Sequence, residues 1–148
     1  MSVVTSSITI EASPERVFRL VTNPKEAISL IPGGMRVSEV PKLPLKRGSI
    51  VKWEFLLLGL PLRGRWVVDE ITEPNVYIAK TIGGVDGRLT YTVMPRGTGS
   101  KLSFSFDYEV PGSVIKKYTV HFIEPYAQGI IDSYLQSIKN YLEVVQKA

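Results

Sequence analysis

The stretch that most constrains this fold is the C-terminal one, from Gln128 to Gln146. At about 100° per residue, its apolar side chains fall on one half of a helical wheel and its polar side chains on the other. The apolar half consists of Ile130, Ile131, Tyr134, Leu135, Ile138, Tyr141, Leu142, Val144 and Val145. So wide an apolar face predicts a long amphipathic helix, which must pack against a large apolar surface.

The segment between Met35 and Val110 provides such a surface, because most of it alternates between apolar and polar residues as strands do. The predicted strands are Val3–Glu11, Met35–Val40, Ser49–Leu58, Leu62–Ile71, Val76–Ile82, Arg88–Met94 and Lys101–Val110. The alternation slips at Glu70, which indicates either a bulge or the end of that strand. The loops between strands contain glycine and proline, as hairpin connections do.

Two short helices are predicted between the first and second strands. Ser13-Pro14-Glu15 and Asn23-Pro24 each combine a capping side chain with proline at the first helical position. Ser113–Glu124 is predicted to be helical too, and Pro125 then kinks or restarts the helix. The chain is therefore predicted to be α+β: a seven-stranded curved antiparallel sheet wrapped on a long C-terminal helix, with two short helices between strands 1 and 2.

Composition narrows the range of functions. The length of 148 residues predicts a single domain, residues 1–148. With no cysteine and one histidine, the chain excludes disulfides, thiol catalysis and multi-histidine metal sites, so no metal or cofactor is expected. No leader-like segment and no apolar run of about 18 residues is visible, so we expect a cytoplasmic protein. The net charge is +4, but basic residues do not interleave with aromatic ones, so no nucleic-acid partner is expected.

The order of elements resembles the helix-grip architecture of the START-like (SRPBCC) superfamily over essentially the whole chain. The segment Ala12–Phe18 is similar to the start of that superfamily's first helix. Leu30–Gly34, Leu58–Trp66 and Gly97–Phe104 resemble segments of the CoxG branch, which is named after an accessory protein of carbon monoxide dehydrogenase. The superfamily resemblance implies a cavity for an apolar ligand between sheet and long helix. The branch resemblance implies a role in recruiting a redox enzyme complex to the membrane.

Aromatic side chains on the apolar strand faces and on the long helix are the candidate ligand-binding residues. The candidates are Trp53, Phe55, Trp66, Tyr91, Phe104, Phe106, Tyr108, Tyr126, Ile130 and Tyr134. For each of them the alternative is ordinary core packing. Several of them would line a pocket together, and tyrosine hydroxyls would offer hydrogen bonds to a ligand head group.

The favoured function is a non-enzymatic carrier or sensor of a small hydrophobic molecule, lipid-like or aromatic. The second hypothesis is an adaptor that binds a redox enzyme complex or an anionic membrane surface, peripheral at the inner membrane face. In that case Leu56 and Leu58 would form an exposed apolar patch beside Lys52, Arg63 and Arg65. The same exposed edge leaves a homodimer open.

The third hypothesis is an enzyme of the cyclase or dehydratase type. Its main candidate is His121, for which Glu124 or Asp107 would serve as an orienting acid. A surface or core-edge histidine is the alternative. The sequence places no spaced acid–base pair on the predicted concave face, so a binding protein is favoured over an enzyme and no catalytic residue is assigned.

Overall fold

The sheet and helices are seen in a computed structural model that describes residues 2–39, 41–57, 59–112 and 120–145. In chain order they are β1 (Ser2–Ile10), α1 (Pro14–Val21), α2 (Pro24–Ser29), β2 (Arg36–Glu39), β3 (Ile50–Leu57), β4 (Leu60–Thr72), β5 (Val76–Ile82), β6 (Asp86–Arg96), β7 (Gly99–Glu109) and α3 (Val120–Asn140), which is followed by a π-helical turn, Tyr141–Val145. The strand order is β1-β7-β6-β5-β4-β3-β2, and every pair is antiparallel. The predicted helix-grip fold is confirmed.

The two short helices begin where their capping residues predict. Ser13 Oγ accepts a hydrogen bond from the backbone N–H of Arg16 at 3.3 Å, and Asn23 Oδ1 accepts one from Glu26 at 3.3 Å. In each helix proline occupies the first turn, where a missing N–H leaves no hydrogen bond unmade. The helices thereby turn their apolar sides into the core.

The core lies between the concave face of the sheet and α3, which packs mainly along β1. Ile10 and Leu102 from the sheet and Leu135 and Ile138 from α3 are almost fully buried. Burying an aliphatic side chain of this size stabilises a fold by about 1.5–3 kcal/mol. The apolar half of the C-terminal helix is therefore what holds the helix against the sheet.

Two strand details differ from the alternation pattern. The pairing of β4 with β5 shifts register between Val68 and Glu70, and β4 continues to Thr72, so the slip in the pattern is a bulge within the strand. The loop expected over residues 95–100 is shorter, because Pro95 and Arg96 remain paired in β6. Proline is tolerated there because its carbonyl can still pair while its missing N–H is not needed.

The long helix differs from its prediction at its start. The helix expected over Ser113–Glu124 lies partly outside the described residues, which resume at Val120. From Val120 the helix runs without a break to Asn140, so Pro125 lies inside it and does not restart it. Pro125 lies near the described start of the helix, where its missing hydrogen bond and its ring perturb the fewest turns.

The end of the helix also differs from its prediction. The residues Tyr141–Val145 form a π-helical turn, in which each residue advances by a smaller angle than in an α-helix. Leu142 stays buried, but Val144 and Val145 are 64% and 63% exposed. Their placement on the buried half was wrong because a constant 100° step does not hold through this turn.

Candidate ligand-binding site

A cavity of about 160 Å³ lies between the concave face of the sheet and α3. All of the predicted site residues line it: Trp53, Phe55, Trp66, Tyr91, Phe104, Phe106, Tyr108, Tyr126, Ile130 and Tyr134. Period-two alternation puts the sheet residues on one face, and helical spacing puts the α3 residues opposite them. The structure thus brings the predicted set together around one space, and their role in binding a ligand is taken up below as a proposal.

The aromatic rings of the wall support one another. Tyr91 is at the centre of this arrangement: it stacks on Tyr77 with ring centroids 5.4 Å apart and contacts the Phe104 ring edge-on at 4.9 Å. Trp53 and Trp66 lie 6.3 Å apart on neighbouring strands. Aromatic pairs in such geometries contribute about 0.5–1.5 kcal/mol beyond their buried area. These contacts fix the shape of the wall.

One hydrogen bond crosses the cavity wall from the sheet to the helix. The hydroxyls of Tyr91 on β6 and Tyr134 on α3 lie 2.8 Å apart, and both residues are buried. Burial raises the pKa of Tyr91 well above its ordinary value, and the Tyr134 hydroxyl adds to that rise. Burial raises the pKa of Tyr134 as well, against the lowering effect of the bond to Tyr91. Both phenols are therefore neutral hydrogen-bond donors at pH 7.

The other polar groups on the wall are also neutral. Trp53 is only 4% exposed, and its indole N–H has no hydrogen-bond partner among the described residues. The hydroxyl of Thr81 donates to the carbonyl of Val85 at 3.0 Å, so that donor is satisfied. No aspartate, glutamate, lysine or arginine is among the described residues that line the cavity. The wall therefore suits an apolar molecule with few polar atoms.

Several wall residues were not among the predicted ones. Ile31 and Met35 flank the glycine turn after α2, and Val85 lies in the β5–β6 loop. Alternation gives no indication of where such loop residues point. Ile123 and Ala127 do carry a signal, because they continue the helical spacing of Ile130 and Tyr134 towards the N-terminus. They were missed because the long helix was predicted to start at Gln128.

The structure offers little catalytic chemistry at this site. The side chain of His121, the main enzymatic candidate, lies outside the described residues. Asp107 and Glu109 lie at the end of β7, and neither lines the cavity. Within the described ranges, no group of three or more histidine, cysteine, aspartate or glutamate residues could hold a metal ion. None of the described helices is both long and apolar enough to cross a membrane.

Comparison with protein families extends the geometry. A family model described as "Polyketide cyclase / dehydrase and lipid transport" matches residues 1–143. The chain belongs to this family. Membership in this cyclase/dehydrase and lipid-transport family confirms the START-like prediction and is consistent with the binding of a hydrophobic ligand. No curated protein sequence matches the chain significantly.

Solved structures share the fold of this family member at low sequence identity. TTHA0849 from Thermus thermophilus is 18% identical with a TM-score of 0.76, and the alignment covers 97% of this chain and 99% of that one. CV1439 from Chromobacterium violaceum is 19% identical with a TM-score of 0.73, covering 97% and 99%. The Aha1 dimer from Colwellia psychrerythraea is 16% identical with a TM-score of 0.67, covering 97% and 98%. At such identities the likeness establishes the helix-grip fold.

Proposed function

We propose that this protein is a non-enzymatic carrier or sensor that binds a small hydrophobic molecule between the sheet and α3. The observation that carries the proposal is the apolar cavity of about 160 Å³. The predicted aromatic residues form its wall, and its polar groups are few and neutral. Ligand sites generally combine such an apolar lining with a few placed polar groups.

The volume of the cavity limits the size of the ligand. An apolar cavity of about 150 Å³ stays dry and binds benzene, whereas pockets for drug-sized molecules occupy about 300 Å³ or more. A space of about 160 Å³ therefore fits one substituted aromatic ring or a short acyl chain. A whole membrane lipid would require α3 to move away from the sheet.

Native mass spectrometry of freshly purified protein, repeated after denaturing extraction, tests whether a ligand is retained. Calorimetric titration with ethylbenzene then tests the cavity directly. The variant Ala127→Phe adds a ring from the helical side of the cavity, so it should abolish ethylbenzene binding while keeping the fold. Ser133→Phe adds the same ring on the exposed side of the same helix and should bind like the wild type.

Two results would count against a binding protein. One is the absence of both a retained ligand and measurable ethylbenzene binding. The other is equal binding by the wild type and Ala127→Phe, which would place ethylbenzene outside the cavity. Loss of binding in Ala127→Phe alone, with both variants folded by circular dichroism, would support the proposal.

A second candidate function is an adaptor of the CoxG type, which would bring a redox enzyme complex such as carbon monoxide dehydrogenase to an anionic membrane surface. Leu56 is 52% exposed on the outer face of β3, and Leu58 lies outside the described residues. On the same face Glu54 pairs with both Arg36 and Arg63, so this cluster carries a net positive charge. Exposed apolar side chains beside basic ones suit an anionic surface.

Flotation with phosphatidylglycerol-containing liposomes tests the adaptor function. Binding should weaken with added salt, because charged attraction to the lipid surface is screened. Leu56→Ser should weaken it further, whereas Ile50→Ser removes a similarly exposed side chain six residues earlier in β3 and should not. Light scattering of the same variants tests the homodimer, since pairing through Leu56 would be lost with it. Equal flotation of all variants would contradict this surface.

A further inference from the structure

The two buried hydroxyls on the cavity wall carry more donors than they use. Tyr91 and Tyr134 lie 2.8 Å from each other, and one donates its proton to the other. Each phenol has one O–H, so the accepting hydroxyl still holds a proton. Neither hydroxyl makes another hydrogen bond to the described residues. A buried donor without an acceptor is costly, so one proton of this pair favours an acceptor from outside the protein.

Trp53 adds a second donor on the same wall. Its indole nitrogen is a donor only and has no partner among the described residues, although the residue is only 4% exposed. Buried N–H groups without a partner are rarer than under-used carbonyl oxygens, because an oxygen accepts through two lone pairs. The β3 and α3 sides of the cavity therefore both present donors.

The absence of charge on the described wall restricts the ligand further. An ionised group moved from water into an apolar space loses its hydration, and only an opposite charge or several hydrogen bonds offset that loss. The described cavity residues provide neither an ammonium, a guanidinium nor a carboxylate. Carboxylate and ammonium ligands are disfavoured to the same degree.

We infer that the ligand of the cavity is a neutral molecule with a hydrogen-bond acceptor, such as a carbonyl oxygen, on a small apolar body. The acceptor lies against the second proton of the Tyr91–Tyr134 pair or against the indole N–H of Trp53. This inference rests on the function proposed above and specifies the chemical class of the ligand. A hydrocarbon would fill the same volume and leave those donors unpaired.

Calorimetric titrations with four probes of similar shape test the inference: acetophenone, ethylbenzene, benzoate and 1-phenylethylammonium. The variant Tyr91→Phe/Tyr134→Phe removes both hydroxyls and keeps the ring shapes. It should weaken acetophenone binding about tenfold and leave ethylbenzene binding unchanged, because only the ketone loses a hydrogen bond. Benzoate and 1-phenylethylammonium should not bind measurably to either form.

Tyr77→Phe is the matched control. Tyr77 is as buried as its neighbour and stacks on Tyr91, but it does not line the cavity. Its loss should leave the acetophenone affinity unchanged. In the wild type, the indole N–H resonance of Trp53 should move downfield with acetophenone and not with ethylbenzene, and a Trp66→Phe variant distinguishes the two indole signals. The resonance experiment does not depend on the folding of the double variant.

Each outcome decides a different statement. Selective weakening of acetophenone binding, or a selective shift of the Trp53 resonance, supports an acceptor-bearing ligand. If the double variant binds both neutral probes as the wild type does and the Trp53 resonance does not respond, the inference fails while the binding function stands. Tight binding of benzoate would also overturn the inference. Failure of ethylbenzene and acetophenone alike would reject the binding function itself.

Discussion

The indole ring of Trp53 lies directly against the backbone of Gly64 on the neighbouring strand. A Cβ atom on Gly64 would come within 2.6 Å of Trp53 Cζ2 and 2.7 Å of the Gly83 carbonyl oxygen. Real Cβ atoms do not approach other heavy atoms so closely. Glycine at this position therefore lets Trp53 lie flat on the sheet and leaves the space above the ring to the cavity.

The Gly64→Ala variant should be destabilised and should bind ligand less well. The added methyl group has to push Trp53 towards the cavity and also meets a backbone oxygen that cannot rotate away. Overpacking of this kind costs about 1–3 kcal/mol in the free energy of unfolding. Urea unfolding measures this loss, and ethylbenzene titration measures the reduced cavity.

Gly129→Ala is the control for this prediction. Gly129 lies on α3, and a Cβ there would meet no atom within 4 Å. Alanine in an exposed helical position stabilises by about 0.5–1 kcal/mol relative to glycine. The two glycine substitutions should therefore change stability in opposite directions. Equal effects would show that the contact with Trp53 does not constrain residue 64.

The sequence predicts which faces meet better than it predicts what happens between them. Alternation in β3 and β7 identifies Trp53 and Phe104 as inward-facing residues, and the wheel of α3 identifies Tyr134. The distance between helix and sheet, and hence the cavity volume, depends on the packing of many side chains and has no counterpart in local periodicity. The bond between Tyr91 and Tyr134 joins residues 43 positions apart, so no local pattern indicates it.

The polar half of α3 is the part that periodicity describes least well. A helical wheel assigns polar residues to solvent, but several of them hydrogen-bond to the exposed edge of β1. The bonds are Gln128 Nε2 to the Thr5 carbonyl at 2.9 Å, Lys139 Nζ to the Thr9 carbonyl at 2.8 Å, and the Glu11 N–H to Glu143 Oε2 at 2.7 Å. These side chains cover backbone groups that an unprotected edge strand would offer to another chain.

Removing that cover should make the protein less stable and prone to association. We expect Gln128→Ala/Lys139→Ala/Glu143→Ala to lose about 1–3 kcal/mol, since water replaces part of each lost hydrogen bond. Urea unfolding measures the loss, and sedimentation velocity at rising concentration measures association. Ser133→Ala/Gln136→Ala removes polar groups from the exposed face of the same helix and should stay monodisperse to the same degree as wild type. Association of both variants alike would argue against edge protection.

Three buried tyrosines should make the fold sensitive to alkali. Burial raises the pKa of Tyr77, Tyr91 and Tyr134 above the ordinary value of 10.0. Above about pH 10 the unfolded chain loses these phenolic protons while the folded chain keeps them, so stability falls as the pH rises. Below pH 10 both states are protonated and these groups contribute no pH dependence.

Each such tyrosine adds a slope of up to about 1.4 kcal/mol per pH unit. Urea unfolding between pH 8 and pH 11.5 should show a steeper loss above pH 10 in the wild type than in Tyr91→Phe/Tyr134→Phe. Tyr77→Phe should lie between them. Parallel curves for the three proteins would mean that these phenols ionise alike in the folded and unfolded states.

Ser100 is a further site where a single oxygen matters. Its side chain is fully buried at the start of β7 and donates to the carbonyl of Ala12 at 2.6 Å, which connects the end of β1 to the β6–β7 hairpin. Ser100→Ala leaves that carbonyl without its donor, at a cost of about 1–3 kcal/mol. Ser103→Ala, on the same strand but only half-buried, should change the free energy of unfolding by less than about 0.5 kcal/mol. If the two serines behaved alike, water would have to reach the Ala12 carbonyl, and hydrogen exchange at the neighbouring amides would then be fast in both variants.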